Sequence, residues 1–201
     1  MAIFVSSHKL CFIHNPKAGG SSIQKWLFDH TDAVRPRNTL HCNFETASKY
    51  FNDIQKSFVV VRNPWDWSVS WYKFLIERTE KNIERINKNP THFDIKKEKN
   101  NINFQIELLQ SLNKGFDVWL EQTDRIPQYH YTVGVNYIFK LENINEDFKI
   151  IQDLLSIHNP LLHCNKSQRL NYKEYYNAYT KDLVYKKYKK DCFHISIGVK
   201  V

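Results

Sequence analysis

Short apolar runs alternate along this chain with longer segments in which apolar residues recur every three or four positions. Runs of strand length occupy residues 10–14 (LCFIH), 58–62 (FVVVR) and 137–141 (YIFKL), and the second is rich in β-branched residues. The segments between and after them have helical spacing. The pattern therefore predicts one α/β domain over residues 1–201, with a mainly parallel sheet flanked by helices.

Helical periodicity is clearest directly after the first two runs. A helix is predicted to begin near Ser21 or Ser22, because apolar residues follow there at intervals of three and four. A second helix is predicted after residue 62, with Pro64 in its first turn, where a proline removes no helical hydrogen bond. Further helical patterns cover about 104–122, 148–155 and 173–190.

Residues 79–103 interrupt this alternation. They are polar, rich in Lys and Asn, and include Pro90. We expect a mobile insertion there between elements of the core.

Composition and charge narrow the class of protein. Hydrophobic residues make up 42% of the 201 residues and aromatic residues 14%, which indicates a packed globule rather than a disordered chain. The formal net charge of +8 indicates an acidic partner, such as a nucleotide, a nucleic acid, a sulfated or phosphorylated polymer, or an anionic membrane surface.

Targeting signals and disulfide patterns are not evident in the sequence. No apolar run approaches the roughly 18 residues of a membrane span, and MAIFVSSHKL lacks the pattern of a signal peptide. The four cysteines, at 11, 42, 164 and 192, show no close pairing. We therefore expect a cytoplasmic protein with reduced thiols.

A glycine-rich turn, HNPKAGGSS at 14–22, lies between the first predicted strand and the first predicted helix. The amides of such a turn bind anions together with the helix N-terminus, and Lys17 adds a positive charge. The other residues assigned to this anion site are Ala18, Gly19, Gly20, Ser21 and Ser22, of which the glycines permit close approach and the serines supply hydroxyl donors. In the usual triphosphate loop the Lys follows the glycines, so a plain tight turn stays an alternative.

A second stretch, VVVRNPWDWSVSWY at 59–72, puts Arg62 at the end of a strand and Ser70 about two turns along the next helix. Open α/β sheets bind ligands at the carboxyl ends of their strands. A guanidinium there can hold a second phosphate through two hydrogen bonds, with a hydroxyl completing the site. The alternative places Arg62 in a surface ion pair and Ser70 on a helix surface.

Both motifs resemble those of sulfotransferases. FIHNPKAGGSSI (12–23) is similar to their 5′-phosphosulfate loop, and the stretch at 59–72 is similar to their 3′-phosphate motif. The resemblance is to the carbohydrate-type sulfotransferase family 2 and continues through IPQYHY (126–131), YIFKLENINEDF (137–148) and residues 164–195. It covers nearly the whole chain and implies the P-loop NTPase-like fold of that family.

The resemblance also implies the chemistry. The donor would be 3′-phosphoadenosine 5′-phosphosulfate, with no metal, and Lys17 would stabilise the charge that builds on the departing phosphate. His41, in TLHCNFETASKYF, resembles the position of a catalytic histidine and would accept the proton of the acceptor hydroxyl. Glu45 is the alternative base, and a purely structural His41 stays open.

Later residues complete the implied site. NKSQR at 165–169 resembles a loop that closes over the 3′-phosphate, so Lys166, Ser167 and Arg169 are binding residues unless they are merely solvated. Where the family often reads Asp-Arg, this chain has Asp66-Trp67, and the Trp67 indole could stack on a base. The implied acceptor is a carbohydrate hydroxyl, and the positive charge fits an acidic glycan; a small alcohol or a protein tyrosine stays possible.

Two other functions are weighed against a sulfotransferase. A P-loop-type nucleotide kinase needs a Lys after the glycines and a magnesium-binding Asp at a strand end, and neither is clear here. A basic nucleic-acid-binding module would use the Lys-rich helix at 173–190, but Tyr176, Tyr179 and Tyr188 fall on its apolar face and are predicted to be core residues. A zinc site at the His-Cys pairs 41–42 and 163–164 has the wrong spacing.

Overall fold

A computed structural model describes residues 2–36, 41–88, 95–162 and 169–196, with only the backbone described at 95–100 and 194–196. The chain divides into two compact units. Unit 1 comprises Met1–Pro64, Ile126–Gln168 and Tyr188–Val201, and unit 2 comprises Trp65–Arg125 and Arg169–Lys187. One domain over residues 1–201 stays a prediction, because compactness alone does not show which parts fold independently.

Strands and helices alternate irregularly in the described residues. The strands are β1 (Ala2–Val5), β2 (Leu10–Ile13), β3 (Ala33–Val34), β4 (Lys56–Val61) and β5 (Tyr137–Lys140). The helices are α1 (Gly20–His30), α2 (Phe44–Ser48), α3 (Pro64–Lys88), α4 (Ile95–Leu112), α5 (Phe116–Gln122), α6 (Tyr129–Thr132), α7 (Ile144–Asp147), α8 (Lys149–Leu155), α9 (Ala178–Lys187) and α10 (Lys189–Ser196). Short 3₁₀ turns occupy Ser6–His8, Leu141–Asn143 and Tyr172–Tyr175.

The sheet in unit 1 has the order β3-β1-β2-β4-β5 and is mixed. The three predicted strands are its parallel part, because β4 pairs in parallel with both β2 and β5. The chain also has two antiparallel pairings, β1 with β2 and β1 with β3, so the prediction of a mainly parallel sheet was too strong. The turn at Ser6–His8 reverses the chain, and Lys9 follows it in a left-handed conformation, φ 51°.

Both faces of this sheet are covered, which explains why its strands are continuous apolar runs. Alternate residues of β2 and β4 enter two clusters, since side chains alternate across a strand. One cluster contains Leu10, Phe12, Phe58 and Val60 together with Ile23, Trp26 and Leu27 of α1 and Phe148, Ile151 and Leu155 after β5. The other contains Cys11, Ile13 and Val59 together with Ala47 of α2 and Tyr131 of α6.

Aromatic residues dominate the interior of unit 2. The ring of Tyr72 on α3 lies 5.4 Å from that of Phe116 and 5.6 Å from that of Trp119, measured between centroids. Its hydroxyl donates a hydrogen bond to the carbonyl of Leu112 at 2.9 Å. Phe116 also packs edge-on against Tyr176, at 5.0 Å. This cluster fixes α3 against α4, α5 and the chain that enters α9.

The expected insertion at 79–103 is helical wherever it is described. Residues up to Lys88 continue α3, and residues from Ile95 open α4. The mobility of this segment stays a prediction. The polar residues mainly cover the solvated sides of two long helices, while Thr79 is buried. Residues 89–94, with Pro90, lie outside the described residues. The predicted helix at 104–122 breaks at Gly115, φ 129°, and the one at 173–190 ends at Lys187.

A buried polar network joins the carboxyl ends of β2 and β4. The side chain of Gln128, which is fully buried, accepts hydrogen bonds from Asn15 Nδ2 and from the backbone N–H of Arg62, both at 2.9 Å. Its own Nε2 donates to the carbonyl of Arg62 at 2.7 Å. Asn15 Nδ2 also donates to the carbonyl of Val60 at 3.0 Å. Side chains therefore continue the link between the two strands beyond the last ladder pair, Ile13 with Val59.

Asp191 of α10 anchors this network. Its fully buried carboxylate accepts the backbone N–H of Gln128 at 2.9 Å and that of Tyr129 at 2.8 Å. Asp191→Asn replaces one acceptor oxygen by a donor, so one buried N–H loses its partner. We expect a loss of about 1–3 kcal/mol in the free energy of unfolding, measured by urea denaturation.

The control for this prediction is Asp29→Asn. Asp29 forms an exposed pair with Lys25 at 2.7 Å, and such a helical pair contributes only about 0.3–0.5 kcal/mol. Equal losses in the two variants would contradict the structural role assigned to Asp191.

Candidate anion-binding site

The loop that connects β2 to α1 has the backbone of an anion site. Lys17 and Gly19 have left-handed φ angles of 65° and 76°, whereas Ala18 and Gly20 do not. Alternation of this kind turns successive N–H groups toward one point. Helix α1 follows with Gly19 as its N-cap and no side-chain cap hydrogen bond, so its N-terminus can stabilise a negative charge.

The two glycines of the loop are required by packing. A Cβ on Gly19 would lie 2.6 Å from Leu141 Cδ1, and a Cβ on Gly20 would lie 2.1 Å from Cδ2 and Nε2 of His14. The space beside each glycine is therefore filled by a side chain of the protein. The amides of both residues keep their place in the loop, and the close approach of a ligand to them stays a prediction.

Arg62 and Lys17, predicted from separate motifs, meet in unit 1. Arg62 follows β4 directly, and its Nη1 donates a hydrogen bond to the carbonyl of Lys17 at 3.1 Å. The backbone of Arg62 is fixed by Gln128, so the guanidinium reaches the loop from a rigid base. A cation beside the loop carbonyl also strengthens the positive potential around the turn.

His41 lies next to the same loop. It precedes α2, its φ is 50°, and its Nδ1 lies 3.3 Å from the carbonyl oxygen of His14. A carbonyl only accepts hydrogen bonds, so Nδ1 carries the proton and Nε2 is the acceptor nitrogen. Partial burial lowers the pKa of His41 below its usual range. The imidazole is therefore neutral at physiological pH, as a general base requires.

Glu45, the alternative base, is oriented differently. Its carboxylate is 78% exposed and pairs with Lys49 at 3.4 Å, one turn further along. The ion pair lies on the solvated side of this short helix. The contacts of His41 thus connect it to the loop, whereas those of Glu45 are with its own helix.

His14 is a site residue that sequence reasoning missed. Its ring packs against Phe12 at 5.8 Å and lies 5.2 Å from the His41 ring, with 78° between the two ring planes. Its Nδ1 is buried and has no hydrogen-bond partner in the described part of the chain. Burial, reinforced by His41, lowers the pKa of His14 to about 3. Its signal in the sequence was its position in register with Leu10 and Phe12, directly before the loop.

Ser70 and Arg169 belong to unit 2. Ser70 is buried on α3, one turn after Asp66, and Arg169 forms a largely buried ion pair with Asp66. Nη1 of Arg169 is buried without a partner in the part of the chain that the structure describes. Lys166 and Ser167 lie outside the described residues.

The proposed stacking of a base on Trp67 is wrong, because this indole is only 1% exposed.

One lysine of the Lys-rich helix, Lys187, contacts α5 within unit 2. Lys187 Nζ donates to the carbonyls of Glu121 and Thr123, at 3.0 and 2.7 Å, and so caps the end of α5. Tyr179 is 57% exposed and donates to Glu121, so its prediction as a core residue was wrong. Tyr188, which follows α9, is buried as predicted.

Within the described residues, no group of three or more His, Cys, Asp or Glu side chains is placed to hold a metal ion. His163 and Cys164 lie outside them. None of the described helices has both the length and the apolar character that crossing a membrane requires. Cys11, Cys42 and Cys192 are free thiols.

Comparison with known proteins does not assign this chain to a family. No protein-family model, curated protein or solved structure matches this chain. The resemblance to sulfotransferase family 2 therefore stays a prediction from motifs.

The buried His14 makes stability depend on pH. Its pKa is about 3 in the native state and about 6.5 when unfolded, so only the unfolded chain takes up this proton between those values. Stability contributed by neutral His14 is present above pH 6.5 and is lost as the pH falls. We expect His14→Gln to remove up to about 2.5 kcal/mol of the stability change between pH 6.5 and 4.5, measured by urea unfolding.

The matched control is His158→Gln. His158 is 70% exposed and lies 3.7 Å from Asp153, so its replacement should leave the pH dependence nearly unchanged. An unaltered slope in His14→Gln would show that His14 is protonated in the native state and would contradict its burial as a neutral group.

Proposed function

We propose that this protein is a sulfotransferase that transfers a sulfuryl group from 3′-phosphoadenosine 5′-phosphosulfate to a hydroxyl of a carbohydrate. One observation carries the proposal: Arg62 Nη1 donates to the carbonyl of Lys17 across the ends of the parallel strands β2 and β4. Ligands of open α/β sheets bind at this edge. An arginine and a lysine held beside an amide-lined turn suit a donor that carries several anionic groups.

Each predicted residue has a role in this proposal. Lys17 and the backbone amides of the loop hold the phosphosulfate, whose negative charge is also favoured by the N-terminus of α1. The residues assigned to the loop are Ala18, Gly19, Gly20, Ser21 and Ser22. Those assigned to the 3′-phosphate are Arg62, Ser70, Lys166, Ser167 and Arg169. The fold proposed for the chain is the P-loop NTPase-like fold of sulfotransferases.

The transfer needs two charge movements. The acceptor oxygen forms a bond to sulfur while the bond between sulfur and the phosphate oxygen breaks, and that oxygen keeps the electron pair. Lys17 stabilises the charge on the departing phosphate. His41 takes the hydroxyl proton on Nε2 and later releases it to solvent, and the acceptor leaves as an anionic sulfate ester.

Nucleotide binding tests the proposal most directly. We expect 3′-phosphoadenosine 5′-phosphate to bind more tightly than ADP, because Arg62 and Ser70 are assigned to the 3′-phosphate. Arg62→Ala should weaken this binding by about 1.5–3 kcal/mol, the value of hydrogen bonds to charged groups, measured by calorimetry. Arg62→Ala should weaken the binding of ADP less. A smaller loss for ADP would show that the variant has lost a contact with the 3′-phosphate and has not changed the shape of the whole loop.

Arg35→Ala is the control, because this exposed arginine lies outside both motifs. Equal affinity for ADP and the 3′-phosphorylated nucleotide would contradict the proposal. Tight binding of ATP with magnesium would favour a nucleotide kinase instead. Binding of RNA with steep salt dependence, and of no nucleotide, would favour a nucleic-acid-binding module.

The role of His41 is tested by kinetics. We expect His41→Ala to leave nucleotide affinity within about twofold while turnover falls by about 10²–10⁴, the contribution of a positioned general base. In the wild type, turnover should decline as the pH falls through the lowered pKa of His41, because imidazolium cannot accept the proton. This acid limb should therefore lie below pH 6.5 and be absent from the variant.

Turnover is followed with neutral and uronic-acid-containing oligosaccharides, and with a phenol as the alternative acceptor. Lys17→Ala should differ from His41→Ala by losing donor affinity as well as turnover. If His41→Ala keeps both turnover and the acid limb, His41 is structural, and Glu45→Gln becomes the variant to measure.

A further inference from the structure

Two contacts of the His41 side chain in the described part of the chain are with His14. Nδ1 of His41 lies 3.3 Å from the backbone carbonyl of His14, and the two rings lie 5.2 Å apart with 78° between their planes. The residues just before His41, at 37–40, lie outside the described range. The left-handed φ of His41 is unusual for a side chain with a Cβ, so this conformation needs contacts that maintain it.

His14 is itself held rigidly. Its ring stacks at 19° on Phe12, which is 1% exposed in the core, and lies against the first residue of α1, where a Cβ on Gly20 would approach to 2.1 Å. The ring is thus wedged between the face of the sheet and the start of the helix. A neighbour fixed in this way restricts the ring that packs against it.

We propose that His14 is a positioning residue for His41, holding that imidazole in one orientation with Nε2 presented as the proton acceptor. The proposal rests on the proposed function, in which His41 is the general base. The two contacts between His14 and His41 have different roles. The carbonyl of His14 selects the tautomer and is kept whatever the side chain is, whereas the ring of His14 sets the direction of the His41 ring.

Two substitutions distinguish the effect of an aromatic ring at position 14 from the effect of the titratable nitrogens of His14. His14→Phe keeps an aromatic face for His41, and His14→Ala removes it. Because misplacing a catalytic group by about 1 Å can cost 10²-fold, we expect kcat to fall by about 10–100-fold in His14→Ala but by less than about threefold in His14→Phe. The affinity for 3′-phosphoadenosine 5′-phosphate should stay within about twofold in both. His158→Ala is the control for loss of a histidine from unit 1.

A third variant displaces the ring without removing it. The Cβ introduced by Gly20→Ala would collide with His14, so this variant should lose kcat about as strongly as His14→Ala. In the double variant Gly20→Ala/His14→Ala the collision disappears. The double variant should therefore be no slower than His14→Ala alone, a non-additivity that residues in contact show. Additive losses would mean that Gly20 acts on turnover by another route and would overturn the contact argument.

Nitrogen NMR of the His41 ring gives a readout that needs no activity. In the wild type and in His14→Phe we expect the tautomer protonated on Nδ1, with one set of ring signals; in His14→Ala the ring signals should broaden or average. Unchanged His41 signals in His14→Ala, or a wild-type kcat in that variant, would overturn the proposal. If the wild type transfers no sulfuryl group, the proposed function fails, and the NMR comparison still decides whether His14 orients His41.

Discussion

The hydrogen bonds of Gln128 are the constraint on which the rest of unit 1 depends. Backbone groups at the carboxyl ends of β2 and β4 leave the sheet ladder in a region without solvent, where each unpaired group would cost about 1–3 kcal/mol. The Gln128 amide pairs with both backbone groups of Arg62 and with the Asn15 side chain. It thereby fixes the start of the loop between β2 and α1 and the backbone of Arg62 with respect to each other.

From this fixed point, the loop acquires its shape through packing. Leu141 and His14 fill the positions that side chains on Gly19 and Gly20 would take, and Arg62 holds the carbonyl of Lys17. As a candidate anion site the loop is preorganised, because its backbone conformation is fixed by these contacts within the protein. Preorganisation makes electrostatic stabilisation effective in catalysis, since little reorganisation is needed as charge develops.

Backbone strain in the described residues coincides with the two residues predicted to be catalytic. Among the residues that the structure describes, four that are not glycine have left-handed φ angles: Lys9, Lys17, His41 and Ser156. Lys9 and Ser156 end helical turns, where this conformation is a common cap. Lys17 and His41 have no such role. Strain of about 1–3 kcal/mol persists only where the surroundings enforce it, and such positions cluster at functional sites.

The sequence predicted what depends on local pattern. The strands buried on both faces were found as apolar runs, and Lys17 and Arg62 were brought together by the rule for parallel strands. Strands β1 and β3 were missed because a strand of two to four residues is too short to show a periodic pattern. The solvated parts of α3 and α4 were not recognised as helical because their composition is that of a loop. Asn15, Gln128 and Asp191 were missed for another reason: buried polar residues are defined by partners that lie far away in the chain.

The departure from the family pattern at Trp67 has a physical counterpart in unit 2. Trp67 packs into the interior, with its ring 6.2 Å from that of Trp71. Its indole is uncharged and so does not replace an arginine at the start of α3. Arg169 supplies a guanidinium to Asp66 instead, in a pair whose side chains are only 10% and 17% exposed. A buried ion pair is stabilising only when its remaining hydrogen-bond groups are satisfied, and Arg169 Nη1 has no partner among the described residues. In the proposed function a 3′-phosphate would accept this hydrogen bond, and Arg169 would compensate for the arginine missing after Asp66.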